Sequence, residues 1–191
     1  MSFDDRIEAA RKFEDALIEN LRGIGFSVAK NGTEHTHHGF VGQLYRSTDQ
    51  TSLAIRFQPD AVACIGNVPR TFYIEAKDAK NLEKTAHEQY VKLQSVGNVV
   101  AVVFGKLNWM WGFIEDIELI DGHKTVEPYP EERRFPVDDE GWIYPRKSDH
   151  WNNGTGASNP QASGTPYREV DSCSLKEFSI FRNTVLQRLG K

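Results

Sequence analysis

Apolar positions near the start of the chain recur at helical spacing: Phe3, Ile7, Ala10, Leu17, Leu21 and Ile24. They predict an amphipathic helix over about 4–23, stopped by Gly23 or Gly25. The period then fades through 28–58, where an Asn31-Gly32 turn signal precedes two candidate strands at 40–45 and 53–57. It sharpens again at 61–77. Ala61 to Ile65 run apolar, Gly66-Asn67-Val68-Pro69 makes a turn, and Phe72 to Lys77 alternate, which predicts two adjacent strands joined by a short loop. A second helical pattern over roughly 82–96, with Leu82, Ala86, Leu93 and Val96 as its buried stripe, ends at Gly97. Asn98 to Phe104 form a continuous apolar run suited to a strand covered on both faces. Trp109, Trp111 and Phe113 alternate into Ile114, Ile117, Leu119 and Ile120, which predicts another strand pair or a strand and short turn. The aromatic alternation fits the covered face of a strand better than a base-stacking surface.

Past 121 the pattern changes character. Residues 121–147 are rich in proline and charge, as in Glu127-Pro128-Tyr129-Pro130 and Asp138-Asp139-Glu140, and predict an irregular extension with solvated acidic runs. The segment 148–166 has loop composition and could order over a substrate as a flap. The chain closes on a predicted helix. Ser174-Leu175-Lys176-Glu177 has capping-box spacing, and Leu175, Phe178, Phe181, Val185 and Leu189 follow at helical intervals. That stripe either closes the core or meets its copy in a second subunit, the first being the commoner outcome.

One strand pair gathers charge, and two polar residues interrupt the helical stripes where a core is expected. On a period of two, Phe72, Ile74 and Ala76 share one face of a strand and Tyr73, Glu75 and Lys77 the other. If the strand carrying Asp60 pairs with it as a hairpin, two carboxylates and an ammonium meet in one small space. Close carboxylates repel and desolvate each other, and a shared divalent ion such as magnesium relieves both costs. At 100° per residue Glu14 falls inside the apolar stripe of the first helix, between Ala10 and Leu17. A carboxylate there is paired, near a metal, or at the stripe's edge reaching solvent or an arginine. By the same arithmetic Gln89 sits in the middle of the second helix's stripe, where it needs hydrogen-bond partners, while Glu83, Lys84, His87 and Gln94 face outward.

Composition narrows the classes without choosing among them. The chain has 191 residues, of which 39% are apolar, enough for one sizeable core. No apolar stretch approaches the roughly 20 residues that span a bilayer, and the chain opens on a charged helix rather than a signal peptide. The two cysteines, Cys64 and Cys173, make no disulfide framework, so a cytoplasmic protein with free thiols is expected. The net charge of −4 argues against sequence-independent coating of a polyanion. It is neutral on a local site, because the acids concentrate between Glu115 and Glu140 while Lys77, Lys80 and Lys84 follow the hairpin and Arg56 and Arg70 flank it. The histidine group His35, His37 and His38 lacks the separated cysteine or histidine partners of a zinc site and predicts an exposed loop.

Pro59-Asp60, fourteen intervening residues and Glu75-Ala76-Lys77 resemble the motif of the PD-(D/E)xK nucleases. The order of helix, hairpin strands, helix and strand is similar to the restriction-endonuclease-like core, and the likeness covers roughly 4–120. It implies an α/β fold with a central mixed β-sheet flanked by helices, residues 1–121 as the nuclease core, and 122–191 as an irregular extension packed on it and ending in a helix. It also implies metal-assisted phosphodiester hydrolysis. Asp60, Glu75 and the Ala76 carbonyl would hold Mg2+ or Mn2+, and Glu14 a second metal or its water shell. Lys77 would orient or deprotonate the water or offset phosphate charge, and Gln89 would bond a phosphate oxygen or fix Lys77. Lys80, Lys84 and Arg46 are candidate phosphate contacts. Within the family the pattern is similar to archaeal-type Holliday-junction resolvases and to nucleases of phages and mobile elements, which implies DNA as partner and a homodimer for cutting two strands. The alternatives are an exonuclease or RNA-cleaving enzyme with the same site, and a nuclease fold that binds nucleic acid or protein without cutting.

Overall fold

In the computed structural model, residues 3–31, 49–66, 68, 70–144 and 165–190 are described. The helices are α1 (Phe3–Gly23), α2 (Gln50–Arg56), α3 (Lys84–Ser95), α4 (Gly122–Val126) and α5 (Phe181–Leu189). The strands are β1 (Phe26–Lys30), β2 (Ala61–Ile65), β3 (Thr71–Lys77), β4 (Asn81–Glu83), β5 (Val100–Phe104), β6 (Met110–Phe113) and β7 (Tyr167–Glu169). Five strands form one sheet in the order β1-β2-β3-β5-β6, and β4 and β7 pair apart from it. β3 runs parallel to β5, and the other neighbours in the large sheet run antiparallel. The protein is therefore an α/β chain with a central mixed sheet flanked by helices.

The alternation along β3 decides which layer each face meets. Phe72 and Ile74 join Leu17 and Leu21 of α1 and Phe181, Val185 and Leu189 of α5 in one buried cluster. Tyr73 packs on the other side, in a cluster with Ala86 and Tyr90 of α3 and with Val100 and Val102. β5 is buried along its whole length, as a strand covered on both faces must be. Trp111 and Phe113 lie fully inside the α1-side cluster, so their alternation is a covered strand face.

Several elements depart from the sequence pattern, each for a local reason. The segment 53–57 is not a strand. It belongs to α2, which Asp49 caps by accepting from the Ser52 N–H at 3.0 Å and which makes no sheet pairing. The second helix starts at Lys84, because Leu82 is drawn into β4 against Arg168 of β7. Its other end also shortens: Val96 lies beyond the last turn and is 76% exposed, and Ala10 of α1 is exposed too. His87 is half-buried against the Trp142 ring rather than facing outward.

The last helix begins at Phe181, not at Ser174. Lys176 is held extended by Trp111 on the sheet edge, the two residues exchanging backbone hydrogen bonds of 2.9 and 2.8 Å. Its intended cap instead takes the Glu118 N–H on the Ser174 hydroxyl. The remaining stripe of α5 closes the α1-side core, with Phe181, Val185 and Leu189 buried. Arg188 pairs with Glu115 to hold its end. The proline-rich extension contains the one-turn helix α4, whose cap Asp121 accepts from the His123 N–H at 2.9 Å. Cys64 is half-buried and Cys173 exposed, both as free thiols. The candidate strand at 40–45, the histidine group at 35–38, Arg46 and most of the 148–166 loop lie outside the described residues.

Candidate active site

The site forms where β2 and β3 stop pairing. Proline has no N–H to give a ladder, so Pro59 marks the start of β2. One step past the Ala61–Ile74 pair, Asp60 comes opposite Glu75. On its other side the Asp60 carbonyl accepts the Asn31 N–H at 2.7 Å, and the Asn31 side chain donates to the Pro59 carbonyl at 3.2 Å. With its backbone so fixed, the Asp60 side chain folds onto β3 and takes the Ala76 N–H on Oδ2 at 2.8 Å. A strand residue presents its N–H and C=O to the same neighbour, so the Ala76 carbonyl faces this gap as well.

Glu75 and Lys77 project from the α3 side of the same strand. Lys77 Nζ sits 2.7 Å from Glu75 Oε1. Glu75 is buried, and its Oε2 has no hydrogen-bond partner among the described residues. Burial pushes the Asp60 carboxyl well above the usual aspartate range, and the Glu75 charge pushes it further. Burial pulls the Lys77 ammonium down, but the Glu75 and Asp60 carboxylates more than offset it and leave it above the ordinary lysine range. Lys77 is therefore a charged donor. The Tyr90 phenol of α3 lies beside this pair, its proton affinity raised by burial and then by Glu75 and Asp60.

Glu14 is buried on α1 as its place in the stripe predicts, and its partner is a lysine. Lys30 Nζ lies 3.2 Å from Glu14 Oε1 and 2.7 Å from Asp15 Oδ1. Glu14 still raises the Asp60 proton affinity, more weakly than Glu75 does. Gln89 is buried on α3 next to Tyr90. Lys80 and Lys84 follow the motif but are engaged by acids of the C-terminal part: Lys80 pairs with Glu169 at 2.6 Å, and Lys84 with Glu140 at 2.7 Å and Asp138 at 3.4 Å.

Two members of this constellation were not singled out by sequence pattern. Tyr90 follows Ala86 at helical spacing, and a stripe drawn through it would have shown an aromatic hydroxyl beside Gln89. Lys30 ends a short strand with mostly exposed positions, so nothing in its local pattern points inward. Only the β1–β2 register, with Lys30 opposite Ala61, brings it to the site.

The donor set suits a hard cation. Asp60 and Glu75 offer carboxylate oxygens, one of them buried without a hydrogen bond, and the Ala76 carbonyl adds a third oxygen. Among the described residues, no group of three or more histidine, cysteine, aspartate or glutamate side chains stands at ligating spacing. A cation held here would take its protein ligands from two carboxylates and the main chain, with water in the further positions.

Fold and site together define an α/β chain whose central mixed sheet carries an Asp, Glu and Lys cluster at a strand end. Among known proteins, no family model matches the chain and no curated protein matches it. A solved structure of Hjc, a Holliday junction resolvase of the archaeal hyperthermophile Archaeoglobus fulgidus, aligns with a TM-score of 0.36 at 23% identity. The alignment covers 59% of this chain and 78% of that one. Among the described residues no helix is long and apolar enough to cross a membrane.

Proposed function

We propose that the chain is a metal-dependent nuclease of the PD-(D/E)xK type that hydrolyses phosphodiester bonds within DNA. The observation that carries this reading is the meeting of Asp60, Glu75 and Lys77 at the mouth of the β2–β3 hairpin, with the Ala76 N–H fixing Asp60. Asp60, Glu75 and the Ala76 carbonyl would hold Mg2+ or Mn2+, which when bound polarises the phosphate and acidifies a water. The raised proton affinity of Asp60 supports this, because a half-buried carboxylate beside the buried Glu75 favours a proton or a cation between them.

Lys77 acts as an ammonium. It orients the attacking water and offsets charge on the phosphate as the fifth oxygen bond forms. It is held for that task by Glu75 at 2.7 Å while remaining 26% exposed, so a substrate oxygen can reach it. Tyr90 lies beside the Glu75 carboxylate on the α3 side, and Gln89 next to it supplies an amide to the same layer. Residues 1–121 form the nuclease core, and 122–191 brace it through α5 and the β4–β7 pair.

The test is cleavage of closed circular duplex, linear duplex, single strand, a four-way junction and RNA, with Mg2+, Mn2+ or chelator. The expected result is metal-dependent cutting of DNA, closed circles included, that Glu75→Ala lowers by about a thousandfold or more. A preference for the junction assigns a resolvase. Absence of cutting on every substrate, or equal cutting by Glu75→Ala, overturns the proposal.

A further inference from the structure

Asp60 stands between two lysine–glutamate pairs, one on each face of the sheet. Partners directly opposite on antiparallel strands share a face, so Lys30 lies with Ala61 on the α1 side, where it meets Glu14. Glu75 is in register with Val102, whose side chain belongs to the α3-side cluster. The two glutamates that could each bring a cation to Asp60 therefore approach from opposite faces. Each keeps a buried oxygen without a hydrogen bond among the described residues, Glu75 Oε2 and Glu14 Oε1, but of these two it is the Glu14 oxygen that faces its lysine, while Lys77 sits on the other Glu75 oxygen. On the α1 side an ammonium already sits 3.2 Å from Glu14 and 2.7 Å from Asp15.

We infer that Lys30 is a built-in cation that takes the place of a second metal at Glu14, so that the site binds a single divalent ion at Asp60 and Glu75. This rests on the metal-site reading above and settles which glutamate ligates. The register explains why Lys30 can do so reliably. Asn31, the next residue, is locked to Asp60 and Pro59 through 2.7 and 3.2 Å hydrogen bonds, so the end of β1 cannot slide away from the site. Asp15, on the exposed side of α1, draws the ammonium across Glu14. A resident ammonium supplies one positive charge without needing a third carboxylate, in keeping with the two-carboxylate donor set. Glu14 is then a positioning residue that sets the charge behind Asp60 and is not a ligand.

The experiment counts bound Mn2+ on the full-length protein from the loss of its free-ion resonance, with no substrate present. The wild type is expected to bind one equivalent, lost in Asp60→Asn and in Glu75→Gln. Glu14→Gln keeps that equivalent with affinity within about twofold. Lys30→Met exposes the Glu14 and Asp15 carboxylates and gains a second, weaker equivalent, and Lys30→Arg returns to one. Two equivalents in the wild type, one of them lost in Glu14→Gln, overturn the inference while leaving the metal site standing. A Lys30→Met protein that still binds one also overturns it. Absence of bound Mn2+ in the wild type overturns the metal site itself and the inference with it.

Discussion

The two lysine–glutamate pairs flanking Asp60 look alike in composition and differ in what surrounds them. Glu75 gives one oxygen to Lys77 and keeps the other buried and unbonded, with a second carboxylate opposite it. Glu14 shares Lys30 with Asp15 near the surface, where Lys30 is 36% exposed. The first pair stores an unfavourable concentration of negative charge that a cation relieves. The second carries the same balance of two carboxylates and one ammonium, but its buried oxygen already has the ammonium against it and its other acid is exposed to solvent. A buried carboxylate is thus informative about metal binding only once its counter-charge is known.

The largest effect expected from breaking this comparison is on the first pair. Lys77→Met leaves Glu75 and Asp60 without their counter-charge. Cutting should drop by about a hundredfold or more, and stability by about 2 kcal/mol, less than for a fully buried pair because Lys77 is partly exposed. Single-turnover cleavage and urea unfolding of the metal-free protein measure the two effects.

Asp60→Asn should act in the opposite direction on stability. The Asp60 carboxyl is held above its usual range in the folded protein by burial and by Glu75. The folded state therefore favours the protonated form. That contribution is complete below the unfolded-state pKa and is lost as pH rises through the raised folded one. In chelator at pH 8, Asp60→Asn should be the more stable protein by about 1 kcal/mol. The advantage should vanish as pH falls toward the range where Asp60 itself takes a proton, and melting curves across pH show whether it does.

The smallest effect belongs to the second pair. Glu14→Gln should cost under about 1 kcal/mol, since Lys30 keeps Asp15 as its closer and exposed partner and the amide still fits the stripe. Cutting should fall by less than about tenfold. A loss as large as that of Glu75→Ala would place Glu14 among the metal ligands and erase the contrast between the faces.

Much of this site was legible in the chain because it sits on elements whose pattern is locally determined. The alternation of Phe72 to Lys77 puts Glu75 and Lys77 on one face without reference to the rest of the fold, and the hairpin brings Asp60 opposite. Glu14 and Gln89 are legible for the same reason, as polar residues inside helical stripes, and both are buried. What distant partners impose was not legible. The capping box at Ser174 is locally sound, but the sheet edge at Trp111 claims Lys176 and delays the helix to Phe181. Leu82 follows helical spacing and is taken into β4 by β7, a strand 84 residues or more further on. Lys30 is placed by register alone, and the lysines after the motif carry no sign that Glu140, Asp138 and Glu169 will engage them. Periodicity reports which face a residue occupies, and charge partners across the chain decide what that residue does there.

The most direct test of the central claim is the melting temperature of the wild type and Asp60→Asn, each in chelator and in a Mn2+ series at pH 8. Ligand that binds only the folded state stabilises it in proportion to RT ln(1 + [L]/Kd). The account predicts a crossover: Asp60→Asn melts higher in chelator, and the wild type overtakes it as Mn2+ rises while the variant stays flat. Parallel responses of the two proteins to Mn2+, or no response of the wild type, would contradict it.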